Sequence, residues 1–267
     1  MPPFAVAAAP DSSAMRKPLA VWFAGAIRFE DYAALAERLA GEVAEPGGRI
    51  PTLVLCEFEP CITIGRSGLR ADVRFSADDL QARRLPVHFT GRGGGAVLHG
   101  PGQVVAAVFA RLEDLGFATH DVGGFIDRYL AGLADAIATV RGGGSGSAVP
   151  GLHGIVGRSG LLAAVGLAIR RGVACHGAFV NATPALDACQ RIDTIPQRSW
   201  PAGMSGPSTM GSIEADLQRR VRLQDVRTAL AESLAASFGV PRMHVNAGFP
   251  IRVPSRPQHP EVVSRVG

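Results

Sequence analysis

Short apolar runs follow one another along this chain with few helical stretches between them, and that order restricts the fold more than any other feature. Leu19–Phe23, Leu53–Glu57, Cys61–Gly65, Pro86–Thr90, Gln103–Ala110, Gly154–Gly157, Leu161–Arg170 and Ala174–Val180 have the length and apolar content of strands. Helical periodicity is found at Glu30–Val43, with Tyr32, Leu35, Leu39 and Val43 on one face, and again at Phe125–Val140 and Leu223–Phe238. Strands that succeed each other without regular helices between them predict an α+β fold: a mixed, largely antiparallel sheet with helices packed on it. No internal repeat is present.

At 267 residues and 47% hydrophobic content, the chain fits one large domain better than two. The domain is expected over 18–248. Before it lies a tail, 1–17, rich in Ala, Pro and Ser that reads as disordered; after it, 249–267 forms a Pro-rich tail. The run from Gly142 to Ser147 reads as a flexible loop. No apolar stretch reaches the roughly 20 residues of a membrane span, and Phe4–Ala9 is too short for a signal-peptide core, so no membrane association and a cytoplasmic location are expected. Cys56, Cys61, Cys175 and Cys189 form no CxxC pair, which argues against a metal site and leaves four thiols. The net charge of +4 comes from scattered arginines, Lys17 being the only lysine. Scattered charge with 6% aromatic content does not suit a nucleic-acid groove. Two readings of the charge stay open: an acidic protein partner, or an arginine-rich composition without functional meaning.

The most informative stretch is Arg92-Gly93-Gly94-Gly95-Ala96-Val97-Leu98-His99-Gly100-Pro101-Gly102-Gln103. Consecutive glycines let a ligand or another chain approach the backbone closely. The flanking Arg92 and His99 are suited to orienting a carbonyl or carboxyl group. The plainer reading is a tight connection between strands with a satisfied histidine.

This stretch resembles the R-G-G-x-x-T-x-H-G-P-G-Q segment of the octanoyltransferases, with Val97 in the place of the threonine. It is also similar to the G-G-G-A-V-x-H of the related lipoate ligases. Upstream, Glu57–Arg66 resembles E-H-P-P-V-x-T-x-G-R; downstream, Ala163–Gly166 and His176–Asn181 resemble A-A-L-G and H-G-x-A-L-N. The resemblance runs over about residues 50–195. It implies the fold of the biotin and lipoate protein ligases, a mixed sheet with helices on one side, and a narrow apolar tunnel for an octanoyl chain. It further implies transfer of octanoyl from acyl carrier protein to a lysine on lipoyl domains of 2-oxoacid dehydrogenase or glycine cleavage proteins, with no cofactor. The substrate-binding residues it implies are Arg92, Gly93, Gly94, His99, Gly100, Gln103, Ala163, Gly166, His176, Gly177 and Asn181.

Octanoyltransferases work through a thioester on a cysteine, helped by a lysine that moves the proton. The ungapped alignment puts Leu161 at the lysine position and Ile195 at the cysteine position. Arginine cannot stand in as a base, so Arg158 does not replace the lysine. Cys175 and Cys189 are the candidate displaced nucleophiles. Strand alternation is expected to turn His176 toward the pocket and its neighbour Cys175 into the core. Three readings follow: an acyltransferase using a displaced cysteine or direct transfer, a non-catalytic paralogue that binds an octanoyl or lipoyl group or its carrier protein, and an ATP-dependent ligase.

Overall fold

A computed structural model describes residues 17–144, 146–149, 151–199, 206 and 209–250. The strands are β1 Leu19–Ile27, β2 Thr52–Phe58, β3 Cys61–Ile64, β4 Val87–Phe89, β5 Ala96–His99, β6 Gln103–Arg111, β7 Ser147–Val149, β8 Gly154–Val156, β9 Leu161–Arg170, β10 Val173–Asn181 and β11 Met243–Ala247. The helices are α1 Phe29–Ala44, α2 Ala77–Ala82, α3 Val122–Arg141, α4 Leu186–Cys189, α5 Ile213–Leu217 and α6 Leu223–Ser237. An eight-stranded sheet runs in the order β11-β1-β2-β6-β10-β9-β8-β7. It is parallel at β11, β1 and β2 and antiparallel from β2 onward. A second sheet, β4-β3-β5, has three strands.

Alternation along the central strands separates two cores. Val104, Ala106, Val108 and Ala110 of β6, with Leu53 and Leu55 of β2, pack under α3 and α6. There Phe125 and Phe238 stack with centroids 5.3 Å apart. The intervening residues Val105, Ala107 and Phe109, with Val54 and Cys56, pack under Tyr32, Leu35, Leu39 and Val43 of α1. Both faces of the sheet are therefore covered. That is why β6 is buried along nearly its whole length and reads as a continuous apolar run. Helices on one side only, as the resemblance implies, is corrected here: α1 occupies the face opposite α3 and α6.

Gly177 shows how tightly the central strands approach. A Cβ built there would lie 1.8 Å from the Ala106 carbonyl oxygen, so no side chain is tolerated where β10 passes β6. A third cluster, with Ile62, Ile64, Ala96, Val97 and Leu98 of the small sheet, packs against Leu161, Phe179 and Ile195. The small sheet thus lies on the α1 side of the large one. The space between the two sheets is where the site forms.

Most of the expected tails, 1–16 and 251–267, falls outside the described residues. Lys17, expected within the first tail, pairs with Asp114 at 2.9 Å, and the Pro250 carbonyl accepts from Arg38. Ser145 of the expected glycine loop is likewise outside the described residues, and Ser147 opens β7.

Candidate acyl-binding site

A cavity of about 350 Å³ lies between the glycine segment, β9, β10 and the N-terminal turn of α1. This is within the roughly 300–1,000 Å³ common for small-molecule sites. Phe29, Tyr32, Phe58, Val97, Val105, Leu161, Ala164, Val165, Phe179 and Ile195 supply its apolar surface, and Thr63, Arg92, His99, His153, His176 and Thr194 its polar groups. Among the described residues, its lining holds no carboxylate, thiol or amine.

One wall is a chain of satisfied polar groups. Arg92 donates from Nε and Nη2 to Thr63 Oγ1 at 3.1 and 2.7 Å, from Nη2 to the Thr63 and Gly95 carbonyls at 2.9 Å each, and from Nη1 to the Gly93 carbonyl at 2.8 Å. The guanidinium thus fastens the glycine segment to β3. One of its five N–H groups has no partner among the described residues. Thr63 Oγ1 lies 2.9 Å from His99 Nε2, and Gln103 Oε1 lies 2.5 Å from His99 Nδ1. Because Gln103 spends its amide hydrogens on Asn181 Oδ1 (2.8 Å) and the Leu98 carbonyl (3.2 Å), its Oε1 accepts from His99 Nδ1. The neutral imidazole then accepts from the Thr63 hydroxyl at Nε2. Asn181 closes the chain by donating to the Leu161 carbonyl at 3.0 Å.

Burial, with Arg92 nearby, pulls His99 down to about 3 and keeps it neutral. Burial also lowers Arg92, to about 10, which leaves it cationic at neutral pH. It makes no ion pair with a carboxylate among the described residues.

His176 reaches the cavity by a backbone irregularity. Its neighbours Ala174 and Ala178 belong to the core under α3 and α6, and strict alternation would send His176 there too. Its φ of +63° turns it instead toward α1, where Nδ1 lies 3.3 Å from the Tyr32 hydroxyl. β10 is paired with β6 at Ala174 and Gly177 but not between them, which gives the backbone room to do this. Burial first, and then Arg92, Arg170 and Arg66, push His176 down to about 4; burial raises Tyr32 well above the ordinary phenol range.

The expectation that alternation would separate Cys175 from His176 is therefore corrected. Both line a second, outer groove beneath α1, and only His176 also lines the main cavity. Cys175 Sγ donates to the Ala168 carbonyl at 3.3 Å, and burial raises its thiol. Cys189 is buried in the cluster beside the small sheet, its Sγ 3.6 Å from the Ala185 carbonyl and its thiol pushed up to about 11 by burial. Neither cysteine lines the cavity, and raised thiols are poor nucleophiles.

A second wall, next to the first, carries Leu161, Thr194 and Ile195. The segment bearing the last two is strapped to residues 72–74 through Asp193 N to the Asp72 carbonyl and Arg74 N to the Arg191 carbonyl, each 2.8 Å. Gly95 lets the glycine segment come against it, since a Cβ there would lie 2.8 Å from the Thr194 carbonyl oxygen. Thr194 is 7% exposed, and its Oγ1 has no hydrogen-bond partner among the described residues.

Of the residues singled out from the sequence, Arg92, Gly93, Gly94, His99, Gly166, His176 and Gly177 line the cavity. Gln103 and Asn181 stand behind His99 in the network, and Gly100 lies in the turn before β6. Ala163 is corrected: it faces the core under α3 and α6. Thr63, the threonine of the Glu57–Arg66 segment, lines the cavity too, as do Tyr32, His153 and Thr194, which no motif marks.

A family model, the lipoyl protein ligase A/B catalytic domain, matches residues 30–235. The chain belongs to the lipoyl protein ligase A/B family. Among curated lipoyl ligase A/B relatives, the octanoyltransferase of Geotalea uraniireducens (strain Rf4) is 34% identical over 206 residues, covering 76% of this chain and 85% of its own. That of Geobacter metallireducens (strain ATCC 53774 / DSM 7210 / GS-15) is 35% identical over 210 residues, covering 78% and 87%. A solved lipoate-protein ligase A bound with ATP shares the lipoyl ligase A/B fold at TM-score 0.64 and 15% identity, covering 87% of this chain and 89% of its own. A bipartite lipoate protein ligase from Thermoplasma acidophilum does so at 0.58 and 16%, covering 86% and 87%.

Proposed function

We propose that this protein holds an octanoyl-sized acyl group in the cavity and passes it from an acyl carrier protein thioester to the lysine of a lipoyl domain directly, without an acyl-cysteine. The observation that carries this reading is the composition of the lining: an apolar slot with a half-buried guanidinium at its wall that makes no ion pair among the described residues, and no thiol within it. The octanoyltransferase relatives supply the acyl class; the acceptors, lipoyl domains of 2-oxoacid dehydrogenase or glycine cleavage proteins, are those the sequence resemblance implies, and the solved Thermoplasma acidophilum ligase is described with its E2 lipoyl domain. Holding the thioester carbonyl beside the free N–H of Arg92 supplies polarisation, and fixing the acceptor amine against it supplies proximity. The bond to sulfur then breaks as the amide forms. An ATP-dependent route needs an amine where Leu161 stands, and nothing in the cavity replaces it.

One observation favours a second reading, a non-catalytic acyl-binding protein: His99 has both ring nitrogens engaged and so cannot move a proton. The test is transfer of octanoyl from octanoyl-acyl carrier protein to a lipoyl domain by the wild type and by a Cys175→Ala/Cys189→Ala variant. Equal transfer by both is expected. Loss of transfer in the variant would contradict the direct route. Octanoyl binding without turnover in the wild type would establish the second reading instead.

A further inference from the structure

Among the described residues, five with ionisable side chains border the cavity: Tyr32, Arg92, His99, His153 and His176. Four are engaged. Arg92 and His99 belong to the polar wall, and Tyr32 and His176 are buried against each other. His153 differs in every respect that matters for proton transfer. It is exposed, and its imidazole has no hydrogen-bond or ion-pair partner among the described residues. Its carbonyl accepts from Val165 N at 2.9 Å, which pins it to β9 beside Gly166. Its φ of +46° lies in the left-handed region. A side chain held there carries a cost that the surroundings must overcome, and such positions cluster at functional sites.

We infer that His153 is the proton acceptor for the incoming amine, an inference that rests on the direct-transfer reading. The acceptor lysine, as a neutral amine, attacks the thioester carbonyl carbon, and an N–C bond forms. The nitrogen gives up a proton to the free imidazole nitrogen of His153. The C–S bond then breaks, and the leaving thiolate takes that proton back from the imidazolium. The products are an octanoyl amide and the carrier thiol, with His153 regenerated. The outward exposure of His153 suits this role, because the amine arrives from solvent on the arm of another protein.

The test uses His153→Gly in the full chain. Glycine adopts the observed φ without strain, so the variant keeps the fold. Octanoyl transfer should fall on the order of 10²–10⁴-fold, octanoyl-carrier KM should not change, and added free imidazole should restore the rate. Imidazole rescue separates a chemical role from a structural one. A variant that keeps the wild-type rate, or a loss that imidazole does not restore, overturns the role of His153 while leaving direct transfer standing. If the wild type itself gives no turnover, direct transfer and the role of His153 fail together.

Discussion

On one wall of the cavity Arg92, Thr63, His99, Gln103 and Asn181 leave almost no polar atom without a partner. On the other, Leu161 and Ile195 present carbon side chains, and Thr194 keeps a buried hydroxyl with no partner among the described residues. The first wall is rigid by construction, because each group's position is fixed by the next. The second is apolar at the two positions that the octanoyltransferase resemblance assigns to lysine and cysteine. On the proposed reading the first wall holds the acyl head group, while the second offers no group that could bond to it.

The sharpest way to break the contrast is to give the second wall what the resemblance assigns to it. Leu161→Lys with Ile195→Cys should accumulate octanoyl on the introduced thiol, read by intact mass, where direct transfer predicts none on the wild type. An unmodified double variant would show that Leu161 and Ile195 do not decide whether an acyl-enzyme forms.

The next largest effect should come from the first wall. Thr63→Val removes the acceptor shared by Arg92 Nε and Nη2 and the donor to His99, leaving Arg92 Nε and His99 Nε2 without these partners. A loss of roughly 3 kcal/mol is expected in urea unfolding, with the denaturant slope unchanged.

Acid separates the walls as well. His99 and His176 stay neutral in the folded protein down to about 3 and about 4, whereas an unfolded histidine takes up a proton near 6.5. The unfolded chain therefore binds more protons as pH falls below about 6.5, and stability contributed by the two neutral imidazoles declines from there. Thermal unfolding midpoints should drop between pH 6.5 and 4, and His176→Gln should flatten part of that decline. A slope unchanged in this variant would show that His176 is not held neutral.

The smallest effect belongs to Thr194. Replacing a buried, unpaired hydroxyl by a methyl of the same shape should be neutral or stabilising by up to about 1 kcal/mol. Thr194→Val should therefore raise or keep the urea midpoint, in contrast to Thr63→Val, and a marked loss would mean that the hydroxyl has a partner.

Much of this was legible in the sequence. The α1 stripe of Tyr32, Leu35, Leu39 and Val43 is the face that packs on the sheet, and β9 and β10 lie where their apolar runs place them. β5 was hidden because Ala96–His99 is short and set among glycines, so the whole stretch reads as a connection. β11 was hidden because an exposed edge strand carries no burial pattern. Arg92, His99 and Thr63 could each be matched to a motif, but their engagement with one another could not, since Thr63 lies in a separate segment, on β3. The aim of His176 depends on a left-handed φ at a non-glycine residue, which alternation cannot predict. His153 and Thr194 gave no signal, because one imidazole in a turn and one hydroxyl beside an isoleucine look like many surface residues until the cavity brings them together.

The account stands most directly on intact-mass analysis of the wild-type protein after incubation with octanoyl-acyl carrier protein and a lipoyl domain. It predicts octanoyl on the lipoyl domain and none on the protein itself at any time point. An octanoyl adduct that forms on Cys175 or Cys189 and then disappears as the lipoyl domain is modified would contradict it.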